Sequence, residues 1–279
     1  MGLGPNLTLD ATMNPDFGQV DADPAEVNLT AFETRFPERR PFFAEGSRLL
    51  NLQSHVNVFH SRRIGGIPSG PAPGDFVDYP EASTILAAGK ITGRLPGGTS
   101  LGVLAAVTDE EYARFANIGS SGIERVRVAP RNTFGVAKVE REFGGMGSTA
   151  SVLVGAVHRD LGDGDALASL LSQNAFVYGS DALLRFKGGQ YELAMALVGS
   201  YVEGKPKAIE RIQRSSSHYM QRPDKDYGRI DPTRTSLAGG SLRTYFNRTG
   251  GEHWLFGTLL QIDTQEFETN DMANFKAAD

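Results

Sequence analysis

From Thr84 to about Asp263, apolar and polar residues alternate in stretches of about ten, joined in pairs by short glycine-rich turns. Successive side chains of a strand point to opposite faces, so this period of two predicts half-buried β-strands. In the stretch 84–95, Ile85, Ala87, Gly89, Ile91 and Leu95 share one face, and Thr84, Lys90, Thr92 and Arg94 the other. Further on, Gly135, Ala137, Val139 and Phe143 oppose Lys138, Glu140 and Glu142; Phe176, Tyr178, Ala182, Leu184 and Phe186 oppose Asp181, Arg185 and Lys187. Tyr191, Leu193, Met195, Leu197 and Tyr201 oppose Glu192, Ala194 and Ser200, and Trp254, Phe256, Thr258, Leu260 and Ile262 oppose His253, Gln261 and Asp263. The second, fourth and seventh stretches alternate less cleanly, although Leu242 and Phe246 still oppose Arg243 and Tyr245.

The turns are Pro96–Gly98, Gly144–Gly147, Lys187–Gln190 and Arg248–Gly251, where glycine supplies the positive φ that tight hairpins need. The connections between hairpins are much longer: 109–131, 160–173 and 203–234. Short loops at one end and long ones at the other is the up-and-down pattern of outer-membrane barrels. Aromatic residues fall at strand ends: Phe143, Phe186, Tyr191, Phe246 and Trp254 beside the short turns, Phe176, Tyr178 and Tyr201 at the opposite ends. Such girdles mark the two membrane interfaces of a barrel. Ten residues of strand, roughly 33 Å, tilted by about 45°, come close to the ~25 Å apolar band of that class. The pattern therefore predicts an all-β, antiparallel up-and-down (meander) β-barrel of the transmembrane type, with about eight to ten strands. A soluble β-rich binding module alternates too and is the competing architecture.

Two zones follow. Residues 1–83 hold a first strand, Leu7 to Met13, and a motif-rich segment of lumen or plug character; residues 84–279 are the hairpin region. If the short turns face the periplasm, the strand count is odd and the polar tail from Thr264 does not close the sheet, which reads as an incomplete barrel.

Composition narrows the classes. No run of about eighteen apolar residues exists, so no transmembrane helix is expected. The absence of cysteine removes disulfides and thiolate metal sites, and the net charge of -5 argues against nucleic-acid binding. The first residues carry no basic or strongly apolar leader, so an export signal is absent from the chain as written.

Candidate chemistry is sparse. Asp16, Asp21 and Asp23 are hard oxygen ligands that could hold Ca²⁺, though not with EF-hand spacing; a polar turn is the plainer reading. Glu33 and Glu38, among Phe32, Phe36, Phe42 and Phe43, could form the acid/base pair of a glycoside hydrolase, or ion-pair within an aromatic segment. Arg39, Arg40, Arg62 and Arg63 are candidate anion-binding residues; the structural alternative is ion pairing within the aromatic segment for Arg39 and Arg40, and with lumen acids such as Glu140 for Arg62 and Arg63. The histidines form no HExxH pair, and no GxSxG elbow frames Ser215, Ser216, Ser217 and His218.

The segment Asn14-Pro15-Asp16-Phe17-Gly18-Gln19-Val20-Asp21-Ala22-Asp23-Pro24, continued by Phe32 to Gly46, is the most unusual in the chain. With His60 to Gly65, Ala87 to Arg94 and Gln213 to Asp224, it resembles an uncharacterised bacterial family of barrel-like regions. Members typically carry a carbohydrate-binding-family-9-like domain ahead of this region. The resemblance implies export to the bacterial outer membrane, lipid as a partner, and a connection with poly- or oligosaccharide. No resident cofactor is implied.

Overall fold

The computed structural model describes residues 2, 4–15, 36–53, 57–119, 122–224 and 228–273. Its strands are β1 (Leu7–Met13), β2 (Phe76–Asp78), β3 (Ile85–Leu95), β4 (Thr99–Thr108), β5 (Glu111–Ala116), β6 (Glu124–Ala129), β7 (Asn132–Phe143), β8 (Ser148–Arg159), β9 (Asn174–Phe186), β10 (Tyr191–Glu203), β11 (Ser236–Arg248) and β12 (Phe256–Asp263). Nine of them form one antiparallel sheet in the order β1-β3-β4-β7-β8-β9-β10-β11-β12, a meander in which each strand pairs with the next long strand of the chain. The remaining three, β2, β5 and β6, make a small separate sheet. The architecture is all-β. The large sheet is not closed: among the described residues β1 and β12 are its two edges.

The expected turns are where the pattern put them. Gly97 and Gly98, at φ of 83° and 86°, turn β3 into β4, and Gly144 and Gly147, at 70° and 67°, turn β7 into β8. A side chain other than glycine is strained in that left-handed region. The long connections are not plain loops. The one at 109–131 carries the β5–β6 hairpin, and the one at 203–234 carries helix α2 (Pro206–Gln213). Helix α2 buries Ala208 and Ile209 and opens with Pro206 in its first turn, where no N–H is needed.

One face of the sheet is covered and the other is open. Helix α1 (Pro41–Ala44) and the chain that follows it lay Phe43, Leu50, Leu52, Val58, Phe59 and Ile64 onto the covered face. They meet Leu104, Ala106, Phe134, Val136, Leu153, Val157, Val177 and Val198 there, the alternate residues of β4, β7, β8, β9 and β10. After β12 the chain folds back over the same face, with Met272 in the core and Met272 O accepting from His60 N at 2.7 Å. Two glycines record how closely this cover lies. A Cβ at Gly102 would stand 2.2 Å from Leu49 O, and one at Gly239 would stand 2.3 Å from Phe267 N. Only glycine lets backbone approach backbone so nearly.

The open face is the one that alternation made apolar. It exposes Val139, Val152, Val154, Phe176, Tyr178, Met195, Leu197, Leu242, Leu260 and Ile262. Beside the short turns its aromatics stack: Phe186 on Tyr191 at 5.6 Å, Tyr191 on Phe246 at 6.0 Å and Phe246 against Phe256 at 5.9 Å. At the other end Phe176 meets Tyr201 at 6.3 Å.

Candidate functional site

Of the polar residues that alternation set opposite the apolar face, Lys90, Lys138, Glu140, Asp181 and Ser200 are buried under the cover, whereas Arg94, Lys187, His253 and Gln261 are exposed. Lys90 has no exposed surface and Lys138 only 2%. An isolated ammonium is not stable in such a place, so each is partnered. Lys90 Nζ donates to Phe42 O at 2.8 Å and Glu45 O at 2.7 Å, stands 3.5 Å from Asp10 Oδ2, and lies 5.1 Å from the centre of the Phe42 ring. It ties α1 to the sheet. Lys138 Nζ donates to Glu140 Oε2 at 2.8 Å, and Gln53 Nε2 donates to the same oxygen at 2.6 Å. Gln53 N donates to Asp181 Oδ2 at 2.6 Å, while Ser151 Oγ donates to the other Asp181 oxygen. The covering segment is thus held by charge toward the short turns and by apolar packing toward the long connections.

Arg40 organises the cover itself. It forms a two-pronged pair with Glu38, at 2.9 Å and 2.7 Å, donates to Ile64 O at 2.7 Å and Ser61 O at 2.9 Å, and lies 4.3 Å above the Phe43 ring. Ser61 Oγ also donates to Glu38, at 2.6 Å. Burial by itself pushes the Glu38 pKa up. The hydrogen bonds and charge of Arg40, with Ser61, outweigh it and bring the value down to about 2. A carboxyl held there has no proton to donate near neutrality, which argues against Glu38 as the general acid of a hydrolase pair. Glu33, and the calcium candidates Asp16, Asp21 and Asp23, lie outside the described residues. Among the described residues no cluster of His, Asp and Glu is arranged to hold a metal ion.

Arg62 and Arg63 do not pair with Glu140, whose partners are Lys138 and Gln53. They line a cavity of about 540 Å³ at the long-connection end of the covered face, together with His60, Asn132, Phe134, Arg159 and Asp271. Arg63 Nε donates to Ala273 O at 2.8 Å and Arg62 Nε to Pro37 O at 3.1 Å. Arg159 pairs with Asp271 at 2.5 Å and donates to Ser172 O at 3.0 Å. Burial would raise the Asp271 pKa, but the Arg159 charge and hydrogen bond, with Ser172 and Arg63, hold it below the ordinary carboxylate value. The Asn132 side-chain oxygen is buried beside this cavity without a hydrogen-bond partner. Of the four arginines named from sequence, the fold brings Arg62 and Arg63 together here. Arg40 serves the cover, and Arg39 is exposed. Arg159, Asn132 and Asp271 carry no local motif; Arg159 ends β8, Asn132 opens β7 and Asp271 lies in the segment after β12, so nothing in the sequence joins them.

A family profile for the domain of unknown function DUF5916 matches residues 1–279. The chain belongs to that family. Comparison with curated proteins and with solved structures returns no match. Within this DUF5916 chain one more buried pair stands out. His218 Nε2 lies 2.7 Å from Glu268 and Nδ1 lies 2.8 Å from Gln265 O. Burial disfavours the charged ring, yet the hydrogen bond and charge of Glu268 and the Gln265 carbonyl outweigh it and raise the His218 pKa. Both ring nitrogens face acceptors, so His218 has none left to activate Ser215 or Ser217. The pair fastens α2's connection to the segment after β12.

Proposed function

We propose that this chain forms wall and interior of an outer-membrane β-barrel in a bacterium, working as a receptor, pore or anchor. The observation that carries the reading is the open face: exposed apolar side chains from β7 to β12, with aromatics at both ends and the buried charges Lys90, Lys138, Glu140 and Asp181 on the opposite face. Soluble monomers rarely present contiguous apolar surface on this scale, whereas a bilayer solvates it. Lipid cannot satisfy unpaired backbone groups, so in this reading further strands pair with the edges β1 and β12.

Within the reading, a receptor or plugged transporter fits better than an open pore. The interior is packed by residues 43–53, 57–64 and 264–273, and the arginine-lined cavity at the long-connection end reaches Ala129, the last residue of β6. A link to poly- or oligosaccharide rests on the sequence resemblance alone. The test is detergent dependence. The chain should aggregate in plain buffer, become monodisperse in nonionic detergent, and float with liposomes. A monodisperse, non-floating protein in plain buffer contradicts the proposal.

A further inference from the structure

The open face is not uniformly filled. A groove of about 640 Å³ lies on it, and short side chains form its floor: Ala150 on β8, with Ser180 and Ala182 on β9. Val152, Met195 and Leu197 flank that floor, standing 59%, 40% and 60% exposed. Neighbouring strands are about 4.8 Å apart, so a floor two strands wide is roughly the cross-section of one hydrocarbon chain. The register fixes what stands beside its floor at the short-turn end. Arg141 on β7 is opposite Ala150, Ala150 is opposite Ala182, and Ala182 is opposite Met195. One row of the face therefore reads cation, small, small, apolar.

Arg141 is exposed and its Nη1 donates to Thr99 Oγ1 at 2.8 Å; among the described residues no carboxylate pairs with it. Two residues on, Phe143 ends the strand beside the short turn. A cation at that level, with the apolar groove running away from it, is complementary to an amphiphile whose anionic group and hydrocarbon chain are joined end to end.

We propose that this groove is a bound-lipid site, taking one acyl chain of a glycerophospholipid whose anionic headgroup is held by Arg141. The inference rests on the membrane reading above. It assigns the lipid to the leaflet at the short-turn end, the periplasmic side in that reading.

The test uses the whole chain, purified in nonionic detergent and offered equimolar phosphatidylglycerol and phosphatidylcholine, with retained lipid read by native mass spectrometry. Phosphatidylglycerol should be retained about tenfold over phosphatidylcholine, the factor expected of one charge-assisted contact. Arg141→Gln should abolish the preference while leaving some lipid of either kind. Ala182→Phe, or Ala150→Leu if that variant folds poorly, should reduce retention of both lipids. Equal retention by the native chain, a preference indifferent to Arg141→Gln, or stronger retention of lipid A overturns the site while the detergent requirement stands. A chain that needs no detergent and retains neither lipid overturns the site and the membrane reading together.

Discussion

The two faces of the large sheet are built from neighbouring residues of the same strands, yet they solve opposite problems. On β7, Phe134, Val136, Lys138 and Glu140 are buried while Val139 between the last two is half exposed. On β8, Leu153 has no exposed surface and its neighbours Val152 and Val154 are more than half exposed. A sheet with one face in water commonly turns charged and polar side chains to that face. Here two lysines, a glutamate and an aspartate are buried with a partner for each among the apolar residues of the covered face, while Val139, Val152, Val154, Leu197 and Leu242 stand on the open one. The difference teaches that burial in this fold follows the covering chain, and it is the reason we propose that the open face meets a medium other than water.

If that contrast is correct, mutations should divide by face. Phe43→Ala removes the aromatic that seats the cover and over which Arg40 lies. It should cost about 3–5 kcal/mol, read as a lower denaturant midpoint and earlier proteolysis within residues 36–64. Next in size, Val154→Arg on the open face should cost about 2–4 kcal/mol in lipid or detergent and almost nothing if the face meets water. Comparing the variant with the native chain in both media therefore decides what the face touches.

Glu38→Gln should cost about 1–3 kcal/mol, because Arg40 and Ser61 lose a charged acceptor. Its folded pKa lies at about 2, below the ordinary 4.5. The stability it contributes is thus present above 4.5 and lost as pH falls toward 2, and the variant should be less acid-sensitive over that window. The His218–Glu268 pair should have the smallest effect and the opposite sign. With its pKa raised above the ordinary 6.5, His218 contributes fully below 6.5, and the contribution fades as pH rises through the raised value. His218→Gln should flatten that alkaline limb; a limb unchanged by the substitution contradicts the pairing.

Strand positions were legible because alternation was strong where one face is charged. Lys90, Lys138, Glu140 and Asp181 marked the covered face of β3, β7 and β9, and even the short β1 at Leu7–Met13 followed from the topology count. Alternation blurred on β4 and β8 for a physical reason. Toward the long connections the covered face is apolar too, with Leu104 and Ala106 on β4 and Leu153 and Val157 on β8, so both faces read alike. The folding of residues 36–53, 57–64 and 264–273 onto the sheet left little local signal. Their contacts span long separations, as between Gln53 and Asp181 or His60 and Met272, and no period announces such pairings. The cavity was half legible. Arg62 and Arg63 stood out as a basic pair, whereas Arg159 and Asp271 become part of it only when the chain closes.

The central claim is that the open face lies against hydrocarbon. In a Trp254→Phe background, Val154→Trp places the only indole on that face, and Leu153→Trp places it one residue away on the covered side. In vesicles of acyl-chain-brominated phospholipid, fluorescence of the position 154 indole should be strongly quenched and that of the position 153 indole little affected. Equal, weak quenching at both positions would contradict the account.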